Sequence, residues 1–434
     1  MSLDNKREEA KNEFSLGNYD KSKALFQDLY LGTKDQWDGW GLARSLNKLG
    51  DYAKAEEISK EVYDSFSDFK YIKSQYAMSL FMNRMRKNSP NYNSAHSERT
   101  FELIFNCETG DNRFWTSPAF KSMLSAFKEN NQNEKIAKWY DKIDINLLNN
   151  ESKKSGDIEY SSDRDACFLI FIRAFLGMQQ WSKCIEVCDI ALNNSQVNLF
   201  SLNKNDFWYK RGKAIALSHK GEHEASLSLF DDLLKQKQDW YLYNEIAAVY
   251  KLKGDRSKER DYLINGCLSS KRQPKIGMLW NMFYALGLNL LETDNQEFGK
   301  LHLQLALKAR EAEGWKVDNN LVESMKKYQV ETQFSKDGKQ FIKDLTSFWN
   351  RNKPNPYKNL ERFKGTVKTI LPNGKSGFIS SKSSTDNYYF NFLDINFESS
   401  KVLEGLEVDF CLTARYDKKK DRESQCAVDI SLAS

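Results

Sequence analysis

One turn recurs along this chain at a spacing that leaves little choice of architecture. Gly17 and Gly50 lie 33 positions apart, and Gly221 and Gly254 repeat that interval. Each sits between two amphipathic stretches, as in SLGNYDKSKALFQDL over 15–29 and KLGDYAKAEEISKEV over 48–62. Further copies run over 176–192, 219–234 and 252–263, and weaker ones lie near 128–143 and from Glu292. A small residue follows the turn (Ser22, Ala55, Cys184, Ser226), which lets two helices approach closely. A large apolar one four places on (Phe26, Phe230) fills the groove between them. Six prolines in 434 residues suit a chain built from long helices.

A unit of this length with this turn resembles the tetratricopeptide repeat, a helix–turn–helix of 34 residues. About seven such units are expected over 1–331, with insertions near 85–96 and 149–165. The second insertion is polar and Ser-rich and reads as a mobile loop. The resemblance implies a groove that holds a protein or peptide partner. It does not extend to the subclass that grips chain-terminal carboxylates with Lys and Asn. At the comparable places stand Arg211 with Ile215, then Asn244 with Ala248. Two further helical stretches and the Pro-containing segment NRNKPNPYKN make 332–360 a cap and linker.

The remaining segment, 361–434, changes character. Alternating apolar and polar residues around a Gly-containing turn, followed by Tyr388, Tyr389, Phe390 and Phe392, read as a small all-β domain. It resembles the cold-shock domain, an OB-type barrel that stacks single-stranded nucleic acid on aromatic rings. Where that family has Lys-Gly-Phe-Gly-Phe-Ile, this chain has GKSGFI over 374–379. Its Val-Phe-Val-His-Phe is matched here by YYFNF over 388–392. The opening Gly-x-Val-Lys survives from Gly365 to Lys368, and a later Glu-Gly-x-x-Val-x-Phe survives as Glu404, Gly405, Val408 and Phe410.

The resemblance implies a nucleic-acid-binding set of Lys368, Lys375, Phe378, Tyr389, Asn391 and Phe392. Departures from the family pattern fall on this face. Thr369 stands at a Trp position, Ser376 at a Phe position and Asn391 at the His position. Charge is uneven here too. Eight basic residues and one acid, Glu361, lie over 351–382, and a second basic run spans Lys418 to Lys420 with Arg422. Positive strips beside aromatic platforms are the footprint of single-strand binding.

Other chemistry finds no support in the sequence. GKS over 374–376 lacks the Gly a phosphate loop needs five residues before its Gly-Lys, since Thr369 is there. His219 and His223 flank a turn glycine, and Cys184 and Cys188 occupy repeat core positions. Seven scattered cysteines without Cys-x-x-Cys fit reduced thiols rather than a disulfide framework or a zinc site. The N-terminus has no apolar signal core, and no apolar run is long enough to span a bilayer.

The expectation is therefore an all-α repeat solenoid followed by a small all-β barrel. It is a cytoplasmic, non-catalytic adaptor without metal, cofactor or membrane contact. Its repeats hold a protein or peptide, and its barrel binds single-stranded RNA or DNA. The alternative is a purely protein-binding scaffold whose degenerate barrel serves for docking.

Overall fold

The computed structural model describes residues 2–108, 113–196, 204–270, 275–293, 295–332, 338–355, 357, 360–382, 385–417 and 422–433. Lys358 and the run Lys418 to Lys420, part of the expected basic strips, lie outside these. The fold is a series of tetratricopeptide-like helix pairs followed by a closed five-strand barrel. The chain separates into two compact units, Met1–Glu259 and Arg260–Ser434.

The first unit is a helical solenoid. Its helices are α1 (Leu3–Ser15), α2 (Tyr19–Thr33), α3 (Gln36–Leu49), α4 (Tyr52–Ser65), α5 (Lys70–Leu80), α6 (Ser97–Cys107), α7 (Thr116–Glu129) and α8 (Asn133–Tyr140). They continue as α9 (Asp163–Gly177), α10 (Trp181–Ser195), α11 (Asp206–His219), α12 (His223–Gln236), α13 (Trp240–Leu252) and α14 (Arg256–Ser269), within which the division falls. Gly17, Gly50, Gly221 and Gly254 all take a left-handed backbone, with φ between +76° and +85°. Only glycine adopts that conformation without strain. At the weaker copy near 128–143 Asn131 (φ +54°) holds the same position, which is why the sequence signal fades there, and in the copy over 176–192 Gln179 (φ +58°) holds it. Gly177, the glycine visible in that copy, is the last residue of α9 instead.

Three of the four small residues after the turns make one recurring contact. Ser22 Oγ donates to the Ala10 carbonyl at 3.0 Å and Ser226 Oγ to the Ala214 carbonyl at 2.7 Å. Cys184 Sγ lies 3.9 Å from the Ile172 carbonyl in the same relation. Phe26 packs so closely on the next pair that a Cβ on Gly41 would stand 2.6 Å from its ring. Cys184 and Cys188 are fully buried, and His219 stacks on Trp181 at 4.2 Å. They are packing groups.

The insertions are ordered elements. After α5 the backbone loosens into a π-turn over Phe81–Met85, and the segment to Asn93 stands where a tight turn would join α5 to α6. The polar insertion near 149–165 forms a two-stranded ribbon, β1 (Lys153–Ser155) and β2 (Ile158–Tyr160), rather than a mobile loop. Its anchor is buried Asp163, which receives Lys121 at 2.5 Å and Lys153 at 2.7 Å. Burial alone would raise this carboxyl, but the two ammonium groups hold it below its usual range.

The second unit continues with α15 (Trp280–Glu292), α16 (Gln296–Ala312), α17 (Asn319–Lys327) and α18 (Gly338–Arg351). Helix α18 lays its aromatic stripe on α15 and α16. Phe348 stacks on Phe298 at 4.3 Å, and Trp349 lies parallel to Phe283 at 6.2 Å. The Trp349 indole N–H donates to His302 Nε2 at 2.8 Å, and His302 Nδ1 donates to the Phe298 carbonyl at 2.6 Å. This geometry requires a neutral imidazole with Nε2 as acceptor.

The barrel consists of β3 (Arg362–Ile370), β4 (Ser376–Ser381), β5 (Asn387–Asn391), β6 (Glu407–Asp417) and β7 (Arg422–Leu432), closed in the order β3-β4-β5-β7-β6. Val367, Ile379, Phe390, Val408, Phe410, Ala427 and Ile430 fill it. Gly365 and Gly377 permit the closure, because a Cβ on either would meet a strand carbonyl at 2.5 and 2.3 Å respectively. Asp429 ties the preceding linker to the barrel, accepting from Asn355 at 3.0 Å, from Asn396 and from Arg362 at 2.6 Å. Among the described residues no helix is long and apolar enough to cross a membrane.

Burial lowers the pKa of His302 from 6.5 to about 4, so the folded state binds this proton less readily than the unfolded chain. Stability from this site is complete above pH 6.5 and is lost as pH falls toward 4, by up to about 3 kcal/mol. Urea unfolding followed by tryptophan fluorescence should show that decline, and His302→Gln should flatten it.

Candidate nucleic-acid interface

Strand pairing decides which side chains share the outer face of the barrel. Across β3, β4 and β5, Thr369 stands opposite Phe378, and Phe378 opposite Tyr389. The Phe378 and Tyr389 rings meet edge to face at 5.9 Å, both half-buried. Inward neighbours on the same strands, Ile379 and Phe390, are in the core. Successive residues point to opposite faces, so Phe378 and Tyr389 form an outer pair. Closure by β7 extends the row, since Tyr389 stands beside Cys426 and Cys426 opposite Thr413. Those two residues escape a sequence reading because the parallel β5–β7 contact has no local signature.

Not every expected platform lies here. Phe392 is half-buried and stacks on the core ring Phe390 at 5.7 Å and 15°. It packs with the core rather than with the outer pair, since strand β5 ends at Asn391 and Phe392 opens a 3-10 turn. Tyr388 also turns inward, its ring 5.9 Å from Phe410. Asn391 alternates outward and faces Ser376 across the ladder.

Ser376 and Thr369, at the two positions aromatic in the resembling family, differ in environment. Ser376 is buried, and its hydroxyl exchanges hydrogen bonds with the Asn373 side chain at 2.9 and 3.1 Å. Asn373 Oδ1 also accepts from the Lys375 backbone N–H at 2.9 Å, so the serine locks the turn between β3 and β4. That turn joins two strands and carries Gly374 at φ +60°, unlike a phosphate-binding loop before a helix. Thr369 is exposed and stands opposite Phe378 across the ladder.

The cations divide into engaged and free. Arg362 pairs with Asp429, Arg415 with Asp394 at 2.8 Å through two bonds, and Lys382 with Glu407. Lys368 and Lys375 are exposed and make no ion pair among the described residues. Lys368 occupies the β-bulge of β3 between Val367 and Thr369, and Lys375 the tip of the next turn. The face thus offers two rings, a hydroxyl and an amide, flanked by two unpaired ammonium groups.

Residues 207–347 match a family model described as "Domain of unknown function (DUF7017)". No curated protein matches the chain. Among solved structures, a tetratricopeptide repeat protein from Parabacteroides merdae aligns at 12% identity and TM-score 0.31, over 76% of this chain and 99% of its own. The TPR2AB domain of yeast Sti1, in complex with pHSP90, aligns at 10% identity and TM-score 0.28, over 71% and 98%. The human IFIT1 dimer with m7Gppp-AAAA aligns at 12% identity and TM-score 0.37, over 79% and 78%.

The contrast between Ser376 and Thr369 is testable by restoring the ring at each. Ser376→Phe should break the Asn373 lock and overpack the turn, lowering stability by about 1–3 kcal/mol. Thr369→Trp should leave the melting temperature nearly unchanged. Thermal unfolding of the two variants checks both.

Proposed function

We propose that this chain is a non-catalytic cytoplasmic adaptor with two binding modules. Its helical repeats, residues 1–331, hold a protein or peptide partner. Its barrel, residues 361–434, is a cold-shock-like OB domain that contacts single-stranded RNA or DNA, with 332–360 as cap and linker. The observation that carries the reading is the outer pair Phe378–Tyr389 with the unpaired Lys368 and Lys375 beside it. Rings half-open to solvent are platforms on which a base can stack while the lysines meet its phosphates. Asn391, on the same side, supplies hydrogen bonds to base edges, while Phe392 steadies the strand end from within. Joining the modules in one chain concentrates a repeat-bound partner on the nucleic acid.

Each stacked base contributes about 1–3 kcal/mol. Fluorescence anisotropy of labelled single-stranded RNA and DNA should therefore report binding that weakens on the order of 10²-fold in Phe378→Ala/Tyr389→Ala. Replacing both Lys368 and Lys375 by Ala should flatten the salt dependence by about 1.4 units of log–log slope. Thr369→Trp should tighten binding roughly tenfold by adding a platform. Equal affinity of the wild-type protein and the double-Ala variant would instead favour the barrel as a protein-docking module.

A further inference from the structure

A cleft of about 740 Å³ opens between α1 and α3 of the first unit, floored by Phe26. Most charges along it are already matched. Arg7 grips buried Asp38 through two bonds at 2.9 and 2.8 Å, and Lys11 pairs with Glu8 at 2.8 Å. Asp35 caps α3 by accepting from the backbone N–H of Trp37 and Asp38. Arg44 is different. Its guanidinium is half-buried with the rings of Phe14 and Trp40 each 4.3 Å from Cζ, and it has no hydrogen bond or ion pair among the described residues. Held between two rings, it presents its N–H edges to whatever enters the cleft. Burial also lowers its pKa, the sign of a cation short of solvent and of an anion.

From Arg44 the cleft leads along α3 to an aromatic strip. Trp37 lies 5.8 Å from Trp40, 4.7 Å from Phe69 and 5.2 Å from Tyr71. Trp37 and Tyr71 stay 45% and 43% exposed, which is unusual for side chains already clustered with other rings. In the other direction Lys48, exposed and likewise without a carboxylate among the described residues, lies 5.9 Å from the Tyr19 ring. One end of the groove is therefore apolar and the other lacks an anion.

We infer that this cleft binds an extended acidic peptide segment of a partner protein, with an Asp or Glu carboxylate on Arg44 and an apolar side chain on Trp37 and Trp40. The inference rests on the reading of the repeats as a protein-binding module and specifies its ligand. Seven residues of α3 separate Trp37 from Arg44, about 10 Å at 1.5 Å per residue. An extended peptide covers that distance in about three residues, so the anchor and the acid stand three apart. A nucleic-acid strand fits less well, because Arg7 and Lys11 are already matched by Asp38 and Glu8 and leave few cations in the cleft to answer a run of phosphates. A single carboxylate needs only Arg44.

The test uses full-length protein and fluorescein-labelled peptides, acetylated and amidated at their ends, carrying Phe-x-x-Glu or Glu-x-x-Phe in a Gly/Ser background. At least one should bind, and Glu→Gln in the peptide should weaken it on the order of tenfold or more. Arg44→Gln should cause the same loss, and in that variant the peptide Glu→Gln change should have no further effect. Trp37→Ala, at an exposed position, should weaken both peptides while leaving the fold intact by circular dichroism.

Equal binding of the Glu and Gln peptides, or unchanged binding in Arg44→Gln, would overturn the inference. So would binding restored to the Gln peptide by a free C-terminus, or displacement of the Glu peptide by single-stranded RNA. Cross-linked partner capture by wild-type protein and Arg44→Gln separates the two readings. Capture that persists in both while no peptide binds sinks the cleft assignment alone. No capture by either sinks the protein-binding reading with it.

Discussion

The helical part of this molecule depends on a contact between one small side chain and one carbonyl. Ser22, Cys184 and Ser226 each reach the backbone of the paired helix twelve residues earlier, at Ala10, Ile172 and Ala214. A larger side chain there would push the two helices of a pair apart. The pair could then no longer seat its large residue, Phe26 or Phe230, in the groove beside the next pair. Ser22 also lies 3.1 Å from Ser45 Oγ, and Cys184 3.8 Å from the Gly212 carbonyl, so the same small group sets the spacing to the following repeat. Stacking then follows as a nearest-neighbour sum. The cleft beside Arg44 exists because Gly41 lets Phe26 lie flat beneath it.

The barrel rests on a different device. Gly365 and Gly377 bring strands together at distances a Cβ forbids, which turns a short sheet into a closed one. Closure orders the outer row, for Tyr389 reaches Cys426 only because β5 and β7 pair in parallel. Asp429 then fixes the incoming linker through Asn355 and Arg362. Burial raises its carboxyl, but the hydrogen bonds from Asn355, Asn396 and Arg362 outweigh burial and hold it below the usual range. The linker segment at Tyr357 lies against Cys411 and Arg415, on strand β6. The Phe378–Tyr389 pair, on β4 and β5, is outside that contact.

The repeats were legible because a left-handed turn demands glycine, and glycine at a fixed interval is visible in a sequence. Where Asn131 takes that conformation the signal weakens, and where an insertion replaces the turn between α5 and α6 it disappears. The ribbon near 149–165 looked like a loop because its order comes from Lys121 and Lys153 on Asp163. In the barrel, family resemblance puts Phe392 with the outer rings. The ladder ends one residue before it, and its ring goes to the core. Ser376 looked like a lost platform and is a turn lock. Arg44 was invisible, since nothing local relates it to Phe14 thirty residues away.

In the proposed binding mode, single-stranded nucleic acid meets the outer face of the barrel through Phe378 and Tyr389. Ultraviolet cross-linking of the full-length protein to single-stranded RNA and DNA, with the adducts located by mass spectrometry, tests it most directly. Adducts should concentrate on the peptides holding Phe378 and Tyr389. Adducts confined to the helical repeats, or none above background with a folded barrel, would contradict it.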